Sequence, residues 1–355
     1  DLVAPLAVEE VPLRQAAGRV LARDVTATRT QPPFAASSMD GYALRRAEVE
    51  PDAMFKVIGE AAAGHRFDGP VAAGQAVRIF TGAPLPAGTD HVVIQEDVIR
   101  AGDTISLHDD LDAGPYVRPA GADFAEGSPL NAPRLLGPND IALLAAMNIA
   151  AVPVTRKPVV AIIATGDELV QPGETPGPDQ IIASNSHGLA ALLAQHGAKT
   201  RLLPIARDNH DSLALAFDLA RGADLIVTIG GASVGDHDLV GAAASAQGMD
   251  RVFYKVAMRP GKPLMAGRIG DAAMIGLPGN PVSAMVCGHV FLLPVLRAML
   301  GLGTAPAPRA TAQPGACLLY PTDAADAPPR VHSVGRPFLS TKIYRSCAIF
   351  IYRHP

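Results

Sequence analysis

Polar and apolar residues follow one rhythm near the start of the chain, another through its middle and a third beyond Pro158. From Val8 to about Val25, apolar residues recur at a weak helical spacing (Val11, Leu13, Ala16, Val20, Leu21), which predicts an amphipathic helix. Between Thr30 and about Leu130 the apolar runs become short and are broken by Gly, Pro and Asp. Phe55–Ile58, Ala76–Phe80, His91–Gln95 and Thr104–Leu107 read as strands of a small β domain. Gly137 to Asp140 then caps an apolar helix, Ile141–Ile149. Packed beside the N-terminal helix, it makes the β segment an insertion between two halves of a small helical domain.

Beyond Pro158 the runs lengthen. Val159–Ala164 and Asp224–Ile229 are continuously apolar, and Leu202–Ala206 is strand-like. Between them lie helical patterns, one opening at Ser184 and Asn185 and running through Ala198, one from His210 to Arg221. Strands apolar on both faces that alternate with helices predict a doubly wound parallel α/β sheet. Ala272 to Leu296 carries no Asp, Glu, Lys or Arg and imitates a membrane span, but Pro278, Gly279 and Pro281 interrupt it. It reads as a buried strand, a tight turn and a new helix with Asn280 as N-cap and Pro281 in its first turn. The expected organisation is therefore 1–30 with 131–153 as a helical linker domain, 31–130 as an inserted β-rich domain and 154–301 as the α/β domain. Residues 302–355 form a short C-terminal β segment, truncated or divergent, where the text thins into Ala, Pro and Arg.

Composition narrows the function. The 355 residues are 48% hydrophobic but only 5% aromatic, with no Trp, which suits small-residue packing and disfavours a base-stacking nucleic-acid binder. A net charge of -4 offers no general attraction to nucleic acid or an anionic membrane. Cys287, Cys317 and Cys347 form no CxxC pair, so neither a zinc site nor a disulfide framework is expected and a cytoplasmic setting is the default. No signal peptide is recognisable, and a chain opening on Asp1 implies a short missing N-terminal piece.

In an open parallel sheet, ligands bind at the carboxyl ends of the strands. Acidic residues collect at those ends: Asp167 and Glu168 after the first strand, Asp208 after the second, Asp236 and Asp238 after the third. Carboxylates converging on one edge suit a hard cation, and Mg²⁺ shared with substrate phosphate is the natural occupant. Each Asp could instead cap a following helix. The loop Gly230, Gly231, Ser233, Gly235 lacks the lysine of a P-loop, yet its backbone N–H groups could approach a phosphate. Lys255, Arg259 and Lys262 complement the acids, the last two held by Pro260, Gly261 and Pro263. Rigid cations suit oxyanions, although a solvated surface turn has the same composition. A helix start at Asn280–Ser283 beside such cations is an anion site.

The chain resembles the MoeA and gephyrin E-domain family. The resemblance rests on Pro32–Phe34, Ser38–Ala43, Ile79–Pro84, Gly121–Asp123, Ala164–Leu169, Gly230–Asp238, Met258–Pro263 and Gly276–Ser283, in this order. It implies a molybdopterin molybdenumtransferase that turns molybdate and adenylyl-molybdopterin into molybdenum cofactor and AMP. It implies a MogA-like fold for the α/β domain, a homodimer with a cross-subunit active site, and a MogA-like adenylyltransferase as a partner. Asp40 and Thr81 would reach across the interface. Glu168, Asp208 and Asp238 match the family's acidic, Mg²⁺-binding positions, and Asp123 a further acidic one. Lys255, Arg259, Lys262 and Pro263 match the basic segment, which with Ser283 would hold molybdate. After about Arg309 the chain departs from the family's C-terminal β domain. A nucleotide pyrophosphatase and a scaffold relative are the rival readings.

Overall fold

Along the strands of the α/β region, neighbouring side chains enter different cores. Val160 and Ile162 join one buried cluster while Ala161 and Ile163 join another, and Leu225 and Val227 separate from Ile226 in the same way. This period of two is what a strand buried on both faces imposes. The computed structural model describes residues 2–231, 239–258 and 261–305. Ser233, Gly235, Asp238 and Arg259, together with the C-terminal segment from residue 306, lie outside the described residues.

The sheet comprises β1 (Val159–Ala164), β2 (Lys199–Leu202), β3 (Leu225–Ile229), β4 (Asp250–Tyr254), β5 (Met265–Ile269) and β6 (Ala272–Leu277). Its order is β2-β1-β3-β6-β5-β4. The first four in that order are parallel, and β5 and β4 continue the sheet as an antiparallel edge. Helices α1 (Ser184–Gln195) and α4 (Pro281–Cys287) pack on one face, α2 (His210–Leu219) and α3 (Leu239–Ala246) on the other. The expected strand to Ala206 stops at Leu202 because Pro204 offers no N–H, and the chain rejoins β1 through a single bridge, Thr165 to Ala206. After α4 a π turn, Gly288–Leu292, leads into the helix Leu293–Met299. This run is long and apolar enough to cross a membrane by composition, but Leu292, Leu296 and Met299 are buried in the sheet's core.

The N-terminal region corrects the sequence expectation. Val8–Val25 is not a helix: Val8–Pro12 is a strand, Leu13–Gln15 a 3₁₀ turn and Val20–Leu21 a second short strand. Pro12 lacks an N–H, and Gly18 takes φ +72°, so a helical ladder cannot run through the segment. The β-branched Val8 and Val11 instead pair with Ala151–Thr155, antiparallel from Val8↔Thr155 to Pro12↔Ala151. What was expected as a helical domain is a four-stranded sheet carrying the helix Pro138–Ala146. Val11, Leu21, Leu144, Val152 and Val154 share its core, so the two chain segments pack together with the β segment leaving and returning between them. The helix begins earlier than its apolar run because the Asp140 carboxylate accepts from the Gly137 N–H at 2.8 Å.

Residues between those halves build a six-stranded sheet ordered His91–Ile94, Gly41–Leu44, Gln75–Ile79, Met54–Ala61, Thr104–Leu107, Val98–Ala101. It too has two faces. Tyr42, Leu44 and Phe55 fill one cluster, Ala43, Val77 and Ile79 the other.

Candidate active site

A cleft of about 230 Å³ opens at the carboxyl ends of β1 and β3, between the starts of α1 and α4. Glu168, Asp208, Gly230 and Gly231 line it, with Thr165, Gly166, Ser184, Asn185, Ser186, Gly279 and Pro281. Close backbone approach shapes the floor. Gly230, at φ +92°, lies so near Thr165 that a Cβ would come within 2.7 Å of the Thr165 carbonyl oxygen. Gly231, at φ +63°, would likewise drive a Cβ into Val240. Only glycine fits these two positions, which explains the pair at the end of β3.

Two helix starts face this space. Asn280 caps α4, its side-chain oxygen accepting from the Ser283 N–H at 3.1 Å and from the Ser283 hydroxyl at 3.3 Å. Ser283 is thereby buried and engaged in the cap, and the cleft wall is formed by Gly279 and Pro281 rather than by Ser283. Asn185, expected to help cap α1, has a different task. Its amide donates to the Gly279 carbonyl at 2.7 Å and ties the start of α1 to the turn before α4. Sequence reading passed over Asn185, Ser184 and Gly166 as cleft residues because a helix-start Asn is ordinarily a local cap.

The acids behave as neighbours. Asp208 donates its N–H to the Asp167 carboxylate at 3.2 Å, and Arg207 braces the same loop by donating to the Asp167 carbonyl at 2.9 Å. Loss of solvent on the cleft side, then the negative charges of Asp167 and Glu168, raise the Asp208 carboxyl above its ordinary value. A cation among these carboxylates would relieve that repulsion. Glu168 and Asp208 fit Mg²⁺, which takes one or two carboxylates and completes its shell with water and phosphate oxygens. Among the described residues no third acid, His or Cys joins them in a ligand cluster.

Among the described residues, the other expected site residues do not line this cleft. Lys255 and Lys262 are exposed on the loop after β4, joined by the Val256 N–H donating to the Lys262 carbonyl at 3.1 Å, and neither they nor Pro263 lines the cleft. Lys255 has φ +70°, a left-handed backbone that a β-carbon disfavours, and its ammonium lies 4.8 Å from the centroid of the Tyr254 ring. In the inserted sheet, Asp40 and Thr81 do meet: one Asp40 oxygen accepts from the Thr81 N–H at 2.8 Å and from its hydroxyl at 2.9 Å. These two bonds, the backbone one foremost, hold the Asp40 carboxyl below its ordinary value. Asp123, on a loop of the same region, is paired with Arg118 at 2.5 Å.

With this geometry established, two family descriptions match the chain. "MoeA N-terminal region (domain I and II)" covers residues 1–148, and "Probable molybdopterin binding domain" covers residues 161–298. The molybdopterin molybdenumtransferase of Nostoc sp. is 38% identical over 304 residues, 83% of this chain and 70% of that protein. That of Haemophilus influenzae is 35% identical over 300 residues, covering 84% and 74%. Among solved structures, a molybdopterin biosynthesis MoeA protein from Pyrococcus horikosii superposes with a TM-score of 0.71 at 33% identity, over 84% of this chain and 76% of that one.

Proposed function

The chain belongs to the MoeA family of molybdopterin molybdenumtransferases, and from that premise we propose that its cleft takes adenylyl-molybdopterin, accepts molybdate and releases AMP. It is an enzyme of molybdenum cofactor biosynthesis. The observation that carries the finer reading is the pair Glu168 and Asp208 at the mouth of a glycine-floored cleft, with Asp208 raised by its acidic neighbours.

The obstacle in this reaction is charge. Molybdate and a pyrophosphate-linked pterin are both anionic, so bringing them together demands positioning and electrostatic stabilisation more than acid–base chemistry. Gly230 and Gly231, without side chains on the cleft floor, leave room for phosphate oxygens, and the starts of α1 and α4 add the positive ends of their dipoles. Glu168 and Asp208, with Asp238 as third ligand, would hold Mg²⁺. When bound, the cation supplies charge neutralisation at the phosphates. Lys255, Arg259 and Lys262 hold molybdate, as cations suited to an oxyanion; the left-handed backbone at Lys255 fits a locally fixed position for its side chain. Asp40 and Thr81 act in a homodimer on the cleft of the partner subunit. Two observations support this: the pair is built, with Thr81 exposed and Asp40 half-buried, and among the described residues none of its sheet lines the cleft of its own chain. A cytoplasmic setting and delivery of substrate by a MogA-like adenylyltransferase complete the proposal.

The test is AMP release from adenylyl-molybdopterin, measured with and without molybdate and Mg²⁺. Release that requires both supports the reading. Full release without molybdate would make the chain a nucleotide pyrophosphatase, and no release under any condition would leave a binding protein.

A further inference from the structure

The Asp40–Thr81 pair sits at the end of a longer chain of contacts. Thr81 follows Phe80, just past the strand Gln75–Ile79, and Asp40 precedes the strand Gly41–Leu44. Those strands are neighbours, registered by Gly41↔Ile79 and Tyr42↔Arg78. Arg78 crosses the join. Its guanidinium donates to the Gly41 carbonyl at 3.1 Å and to the Gln95 side-chain oxygen at 2.6 Å. It also lies over two rings, 5.1 Å from the centroid of Tyr42 and 4.7 Å from that of Phe80. Gln95 in turn donates its backbone N–H to the Asp40 carbonyl at 3.1 Å. Arg78 therefore grips the residue after Asp40, the residue before Thr81 and the residue that holds Asp40 from behind.

We propose that Arg78 is the positioning residue of this site, clamped between Tyr42 and Phe80 so that Asp40 and Thr81 face the substrate in one fixed arrangement. The inference rests on the reading that Asp40 and Thr81 act on adenylyl-molybdopterin. A planar, permanently charged guanidinium with forked donors can bind a carbonyl, an amide and two ring faces at once; a lysine ammonium cannot. Its fixed charge also lies near Asp40 and favours the ionised carboxylate. Arg78 does not need to touch substrate to matter, because a misplacement of about 1 Å costs on the order of a hundredfold in rate.

The experiment compares Arg78→Met, Arg78→Lys, Gln95→Leu, Asp40→Asn and the double variant Arg78→Met/Asp40→Asn as full chains, with kcat/KM from AMP release and thermal midpoints from circular dichroism. Arg78→Met keeps an apolar stem between the rings. It is expected to fold and to lose about ten- to a hundredfold in kcat/KM, with Arg78→Lys recovering little and Gln95→Leu losing less in the same direction. Because Arg78 acts through the bonded Asp40–Thr81 pair, its loss is expected to cost far less in the Asp40→Asn background than alone, so the double variant stays close to Asp40→Asn. Multiplying losses, or a silent Arg78→Met beside an impaired Asp40→Asn, would overturn the inference and leave the functional reading standing. A silent Asp40→Asn would overturn both. Should Arg78→Met fail to fold, the comparison of Gln95→Leu with Gln95→Leu/Asp40→Asn decides the question by the same rule.

Discussion

Asp40 and Asp208 are the same side chain in two environments, and the molecule drives them in opposite directions. In the inserted sheet, Asp40 receives a backbone N–H and a hydroxyl from Thr81, so its charge is satisfied in place and the carboxyl falls below its ordinary value. In the α/β cleft, Asp208 loses solvent and faces Asp167 and Glu168, so its carboxyl rises. The first acid is finished by its own protein; the second is left wanting a positive partner. On that difference rests the proposal that Asp40 orients and Asp208 binds a cation, a division of labour suited to a reaction between two anions.

The largest effect expected from breaking this contrast is at Asp208. Asp208→Asn removes a charge from the cation site and should lower AMP release by more than about a hundredfold, while size-exclusion elution and the thermal midpoint stay as in the parent. Retained activity would strip Asp208 of its role. Next comes the exposed Lys262. Lys262→Ala should raise the molybdate concentration for half-maximal rate by roughly tenfold, and leave the adenylyl-molybdopterin dependence nearly unchanged. Equal shifts in both titrations would move Lys262 from molybdate to the nucleotide.

Smaller effects sharpen the comparison of the two regions as scaffolds. The inserted sheet buries His91, whose ring nitrogen lies 3.2 Å from an Arg46 guanidinium nitrogen. Burial, then the Arg46 charge, lowers its pKa, although Asp90 pulls the other way. The folded value is thus depressed, and the neutral ring is favoured in the native state. The contribution is fully present above the unfolded value of about 6.5 and is lost as pH falls from there through the lower folded value, because the unfolded chain takes up a proton that the folded one resists. Urea midpoints at about pH 7.5 and about pH 5.5 should show this decline, and His91→Gln should reduce it. The α/β sheet instead leaves a polar atom unpaired among the described residues: the Thr228 hydroxyl is fully buried with no hydrogen-bond partner there. Thr228→Val keeps the shape and should stabilise the chain by about 1 kcal/mol in the same denaturation assay.

How much of this was legible in the sequence follows the range of the interactions. β1, β3 and the inserted strands were readable because uninterrupted apolar runs and Gly/Pro punctuation are local signals. The start of α4 was readable for the same reason, since Asn280 and Pro281 act within one turn. The N-terminal strands were not, because Val8–Pro12 acquires its structure from Ala151–Thr155, far away in sequence. Nor was the antiparallel edge of β5 and β4, which differs from a parallel edge only in its connection. At the site, the family motifs pointed to Glu168, Asp208 and the glycine pair, and the cleft gathers them. They could not reveal that Asn185 reaches Gly279 or that Arg78 braces Asp40. Each of these depends on a partner brought near only by the fold.

In the proposed dimer, one active site combines the inserted sheet of one subunit with the cleft of its partner, and mixed dimers test this directly. Asp40→Asn and Asp208→Asn chains, each with little activity alone, are unfolded together, refolded as a mixture and assayed for AMP release. Half of the random dimers would then be mixed, each with one intact site and one carrying both lesions, so activity should return to about a quarter of the parent level. Activity no higher than the sum of the two variant chains, in a mixture shown to contain mixed dimers, would place both acids in the same subunit's site and contradict the account.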